Sequence, residues 1–179
     1  MSDWQGNVLY QQTLSVSDNH SGGAAADMNE SGAALSVGTV WPTANLVIYV
    51  PVVVLAPITA YQMGIRVVTQ SGNLDIGIYD EMGNRLVSAG STAVAVAGVQ
   101  AVNITDTPLT PGVYFLALCI DNTTASVGST GVPTALQLQT FGIQQQALGS
   151  VTLPNPATFA NPANAYVPMI FASTMQSTI

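Results

Sequence analysis

The sequence predicts an all-β fold: a single antiparallel β-sandwich, jelly-roll-like, with extended N- and C-terminal arms and little helix. Two observations carry that expectation. From about residue 41 to 141, Val, Ile, Leu, Thr and Tyr recur at short intervals between turn residues, which is the pattern of short paired strands. No stretch shows a sustained helical period. Charge is also scarce. The 179 residues hold 2 Lys+Arg (Arg66 and Arg85), 9 Asp+Glu and 1 His, where a typical soluble domain of this length has roughly 45 charged residues.

The length suits one well-cored domain. The chain divides into an N-terminal strand and arm (1–40), a sandwich core (41–141) and an extended Pro-rich C-terminal arm (142–179). Residues 8–14 read as a strand, and residues 18–34 (DNHSGGAAADMNESGAA) as a small, polar, glycine-bearing loop or arm. The apolar run at 46–58 (LVIYVPVVVLAPI) is interrupted by Pro51 and Pro57 and is too short to span a bilayer. It reads as buried strand.

A meander follows. Met63, Ile65 and Val67 alternate with polar neighbours, and after 69–72 the alternation resumes in Leu74, Ile76 and Ile78. A hairpin turning about Gln70-Ser71 sets Val67 opposite Leu74 and Arg66 opposite Asp75, the latter a structural ion pair. The next turn, 80–84 (DEMGN), suits a three-residue loop with Gly83 left-handed. It sets Ile78 against Leu86 and Tyr79 against Arg85. Pro111-Gly112 suits a type II turn. That turn launches residues 113–120 (VYFLALCI), a central strand covered by a second sheet on one face and by a neighbouring subunit on the other.

Residues 136–139 (LQLQ) alternate like a half-buried strand. In 150–175 the chain carries Pro154, Pro156, Pro162 and Pro168 among Phe159, Tyr166, Ile170 and Phe171. Proline at that density favours an extended segment, and the aromatics need cover. The segment either docks on a partner or wraps its own sandwich, and the sequence leaves both open.

Charge bounds function. No charged residue occurs at 31–65 or 122–179, so these tracts are candidate contact surfaces. The net charge of −7 disfavours nucleic acid and anionic membranes. One Cys cannot close an internal disulfide, so synthesis in a reducing cytoplasm is expected. The N-terminus lacks a signal peptide's basic start and apolar core.

Chemistry is hard to place. His20 lies in the polar arm, and Cys119 in an apolar strand, where it reads as a small buried hydrophobe. No catalytic residue and no cofactor site is assigned, and no enzyme activity is expected. Asp80, Glu81, Asp121 and Asn122 are hard-oxygen candidates for calcium, although turn capping explains the same residues. Trp4, Trp41, Tyr49, Tyr61 and Tyr79 are conspicuous enough to form a sugar-binding platform. Interface candidates are Trp41, Tyr114, Phe159, Tyr166, Ile170 and Phe171, with Trp41 better suited to anchoring the core than an interface.

The segments at 71–93 (SGNLDIGIYDEMGNRLVSAGSTA) and 109–125 (LTPGVYFLALCIDNTTA) together resemble bacteriophage virion surface proteins, whose β-sandwich modules occur in tail fibres, head fibres and capsid decoration or cement proteins. Each segment alone also looks like carbohydrate-binding and peptidase-associated jelly rolls. The resemblance implies a non-enzymatic virion part, made in the host cytoplasm, with its own copies as partners in a homotrimer and the major capsid or another virion protein as target. The expected function is shell decoration. The alternative is a fibre or receptor-binding module for host-surface glycan, and a third class is the accessory domain of a secreted hydrolase.

Overall fold

The computed structural model describes residues 8–9, 37–129 and 134–174. His20 and Trp4 lie outside the described residues, as does most of the strand expected at 8–14. The elements are β1 (Val8–Leu9), β2 (Val37–Val40), β3 (Leu46–Val54), β4 (Ile58–Thr69), β5 (Asn73–Asp80), β6 (Arg85–Ser88), β7 (Thr92–Ala93), β8 (Gly98–Leu109), β9 (Gly112–Ile120), β10 (Ser126–Ser129), α1 (Ala135–Thr140), β11 (Gln144–Ala147) and β12 (Ile170–Ser173).

All strand pairs are antiparallel, and they form two sheets. In the front sheet, β4 pairs with β8 along one side and with β12 and β10 along the other; β12 continues to β1 and β10 to β2. The back sheet runs β11-β3-β9-β5, with β6 and β7 both on the far side of β5. Eight strands therefore lie as β2-β10-β4-β8 facing β3-β9-β5-β6, the chain crossing repeatedly between layers. That is the double Greek-key order of a jelly roll, and the sandwich is the fold the composition predicted.

The main core fills the space between the sheets. Ile48, Val50, Met63, Ile65, Val67, Leu74, Ile76, Ile78, Leu116 and Leu118 belong to it and are fully or almost fully buried. Burying an aliphatic side chain of this size contributes about 1.5–3 kcal/mol, so the alternating strands determine which face turns inward. Trp41 closes the core beside β2. Its indole NH donates to the Leu46 carbonyl at 3.2 Å, and its ring meets Tyr166 edge-on at 5.3 Å.

The meander is folded differently from the hairpin expected. β4 lies in the front sheet and β5 in the back sheet, so Ile65, Val67, Leu74 and Ile76 meet across the core instead of pairing side by side. The alternation identified the buried face correctly but could not say whether its partner lay beside it or opposite. Arg66 is paired in register with Val99, and the Arg66–Asp75 ion pair does not form. The 80–84 turn forms as expected: Gly83 NH donates to the Asp80 carbonyl, Asp80 NH donates to the Asn84 carbonyl, and Gly83 has φ +85°. Tyr79 opposes Arg85, but Ile78 opposes Val87 because a bulge at Leu86 shifts the register.

Pro111-Gly112 is not a type II turn, since Gly112 does not adopt a positive φ. The connection carries the chain from β8 in one sheet to β9 in the other, a span of about 10 Å between layers that a tight hairpin does not cross. Instead, the Tyr114 hydroxyl donates to the Thr110 carbonyl at 3.0 Å, the bond of a tyrosine corner.

Residues 136–139 form part of α1, not a strand. Thr134 and Gln137 make a reciprocal capping box, which satisfies two N-terminal amides; Leu138 is buried while Leu136 is exposed. The run at 46–58 also ends early as strand, because Leu55, Ala56 and Pro57 are exposed in the β3–β4 turn.

The Pro-rich segment is part of the sandwich. It supplies β11 to the back sheet, crosses that sheet's outer face, and returns β12 to the front sheet between β1 and β4. Asn155-Pro156 is a cis peptide bond.

Candidate functional site

The two outer faces and two loop ends of the sandwich are the places where this chain can meet another molecule. The outer face of the back sheet is occupied by the chain itself. Val47, Tyr49, Tyr79, Ala117 and Cys119 form a second apolar cluster with Leu153, and Phe115, Val151, Ala157 and Phe159 pack against it. Tyr49 and Tyr79 meet edge-on at 5.3 Å, and Phe159 contacts Tyr49 at 5.0 Å and Phe115 at 4.6 Å. The outer face of β9 was expected to meet a neighbouring subunit; it meets residues 148–159 instead.

Polar groups pin this cover. Asp75 is fully buried and accepts from the Ser88 hydroxyl at 2.8 Å and 2.9 Å and from Leu153 NH at 2.9 Å. The Tyr79 hydroxyl donates to the Pro154 carbonyl at 2.6 Å, Arg85 donates through its guanidinium to the Leu153 carbonyl, and Ala157 NH donates to the Gly83 carbonyl at 2.8 Å. At the other edge, Gln145 and Ala160 exchange backbone hydrogen bonds. Burial pushes the Tyr49 and Tyr79 phenols upward, and burial with the nearby Asp75 and Asp121 charges pushes the Cys119 thiol up to about 12. These groups stay neutral near pH 7, which suits packing and makes Cys119 a poor nucleophile.

Among the described residues no segment comparable to 148–159 crosses the outer face of the front sheet, where Met169 and Arg66 side chains flank Gly128. Val40, Val68 and Val99 point outward and are exposed, Val99 by 59 %. Phe171 lies flat over Gly64, where an added Cβ would stand 2.3 Å from the ring, and Val68 lies over Gly38 in the same way. Side chains laid over glycines keep this face low and continuous. Arg66 is its charged member, with Gln62 and Asn103 bonded to each other at 2.8 Å nearby.

The loop ends also differ. At one end the carboxylates and amides tie loops together: Asn73 donates to Asp121 at 3.0 Å, Asn122 donates to Asp121 at 2.6 Å and to the Ser71 carbonyl at 3.1 Å, and the Asn122 carbonyl oxygen caps Thr124 and Ala125. Desolvation works against the Asp121 charge, but the bonds from Asn122 and Asn73 outweigh it and hold the carboxyl below its usual range. Asp80 sits at the opposite end, capping Met82 and Asn84 amides at 3.0 Å and 2.8 Å. Desolvation opposes it too, and the Asn84, Met82 and Gly83 hydrogen bonds lower it.

The calcium candidates do not come together. Asp121 follows the Ile120–Leu74 pair and Asp80 pairs with Tyr114, so the two stand at opposite ends of β5, roughly 20 Å apart at strand spacing. No group of three or more His, Cys, Asp or Glu converges among the described residues. Of the interface candidates, Trp41, Tyr166 and Ile170 are buried in the chain's own core and Tyr114 serves the corner, so none of the four offers a free surface. Phe159 and Phe171 remain half-buried on the two outer faces. The sugar-platform set loses Trp41, Tyr49 and Tyr79 to burial.

Sequence reasoning missed the outward valines of the front sheet and the exposed pair Val53 and Leu55. Alternation was the available signal for Val99, the second residue of β8; for Val53 and Leu55, the apolar run from 52 to 56 concealed where the strand stopped before Pro57. No family model matches the chain, and neither does any curated protein or solved structure.

Proposed function

We propose that this chain is a non-enzymatic structural protein of a virion, a decoration or cement protein that stabilises a shell by adding buried contact area. The observation that carries the reading is the contrast between its outer faces: one is sealed by the chain's own C-terminal segment, while the other exposes Val40, Val68 and Val99 beside Gln62, Asn103 and a single charged residue, Arg66. A nearly neutral face can pack on a copy of itself without charge repulsion, which a symmetric assembly requires. Repeated over a shell, even a standard interface of about 1,600 Å² adds substantial resistance to disruption.

The resemblance of residues 71–93 and 109–125 to phage surface modules supports a virion setting. A jelly roll hosts many functions, so the fold itself does not select one. The glycan-binding alternative is less favoured because three of its five aromatic residues are buried.

Add-back tests the reading. Purified protein is mixed with particles stripped of it, and occupancy and heat resistance of the particles are measured. Saturable occupancy with raised heat resistance is expected. Absence of particle binding, or binding to host-surface glycan with bare particles unaffected, contradicts it.

A further inference from the structure

We infer that one corner of the sandwich, where the back sheet emerges from beneath residues 148–159, is a docking surface for a protein partner that presents an apolar recess rimmed by Lys or Arg. The corner is built from β3, β9 and the turns at their end of the molecule. Val53 and Val113 are cross-strand neighbours, both exposed. Pro51 and Phe115 form the next pair on the same face, and Phe159 rests on Phe115 at 4.6 Å. Leu55 extends the patch outward at 81 % exposure, and Met82 stands at the tip of the adjoining β5–β6 turn at 80 %.

Large apolar side chains gathered at one end of the sandwich and held that far into solvent are what a docking site presents. Its setting identifies the partner's chemistry. Glu81 and Asp106 are exposed at this same end, Glu81 in the β5–β6 turn and Asp106 on β8 near its Leu109–Ile58 pairing. No cation of this chain answers them: Arg85 is bound to the Leu153 carbonyl, and Arg66 lies on the front sheet. With 2 Lys+Arg against 9 Asp+Glu in the whole sequence, and Arg85 engaged with the Leu153 carbonyl, a second copy offers Arg66 as its one side-chain cation of Lys or Arg type and is a poor match for these carboxylates. Anionic lipid and nucleic acid are repelled for the same reason. Electrostatic complementarity therefore selects a different protein with a basic rim.

The inference rests on the attachment reading only for the partner being a shell component; its chemistry can be tested without particles. The probes are two synthetic peptides sharing one apolar centre, one flanked by lysines and one by glutamates, titrated into the full chain while amide shifts are followed by NMR. The expected result is binding of the lysine-flanked peptide at least fivefold tighter, with shifts centred on Val53, Leu55 and Val113. Leu55→Ser with Val53→Ser should weaken it at least fivefold at unchanged melting temperature. Glu81→Lys with Asp106→Lys should reverse the peptide preference. Equal binding of both peptides, shifts centred on Val68 and Val99, or self-association lost in the Leu55→Ser, Val53→Ser variant would each overturn the inference.

Discussion

On the back of the sandwich, Tyr49, Tyr79, Phe115 and Cys119 face outward from their strands and lie beneath Leu153 and Phe159 of the same chain. On the front, Val40, Val68 and Val99 face outward and meet no described residue above them. Both faces expose apolar side chains from their strands, and among the described residues only the back face has its own cover. The back cover is pinned by polar groups: it is held where Asp75, Tyr79 and Arg85 bind the backbone at 153–154. The covered face contributes to folding, and on the proposed reading the front face is the one that serves assembly.

The sharpest way to break the contrast is to remove residues 150–179. The deletion takes away the back cover and β12 from within the front sheet, and circular dichroism should show loss of the cooperative melt. A folded, cooperatively melting truncation would mean that the segment is an appendage. Leu153→Ala is a milder version; it empties a fully buried site over β5 and should cost about 2–5 kcal/mol in denaturant unfolding. Tyr114→Phe deletes the corner hydrogen bond while keeping the ring, and the expected loss is about 1 kcal/mol.

Acid probes the loop ends. Asp80 and Asp121 have folded-state values below their unfolded ones, so their contribution is present above the unfolded carboxylate value of about 3.9 and disappears as pH falls through the folded value. Melting temperature should therefore fall below about pH 4, and Asp80→Asn with Asp121→Asn should flatten that fall. The smallest stability effect is expected on the open face, where Val99→Asp should change stability by no more than about 0.5 kcal/mol while lowering assembly.

The all-β sandwich was legible because alternation and turn residues are local signals. Tyr79 opposite Arg85 followed from the Gly83 turn in the same way. Whether β4 and β5 pair laterally or face each other across the core depends on the layer each joins, a non-local choice that identical alternation leaves open. The Leu-Gln repeat at 136–139 misled because a capping box at Thr134 outweighs a four-residue alternation. The interface candidates were five large aromatics and Ile170, and Trp41 and Tyr166 satisfy each other inside the core; the exposed residues of the front face are valines with no distinguishing chemistry in sequence.

Cysteine labelling reads which outer face becomes covered in the particle. Val99→Cys on the open face and Thr152→Cys on the exposed side of the back cover are each treated with a maleimide, in free protein and in the assembled particle; Cys119 is buried and serves as background. The account predicts that Val99→Cys reacts in the free protein and is protected in the assembly, while Thr152→Cys reacts in both. Equal reactivity of Val99→Cys in the two states, with Thr152→Cys protected on assembly, would contradict it.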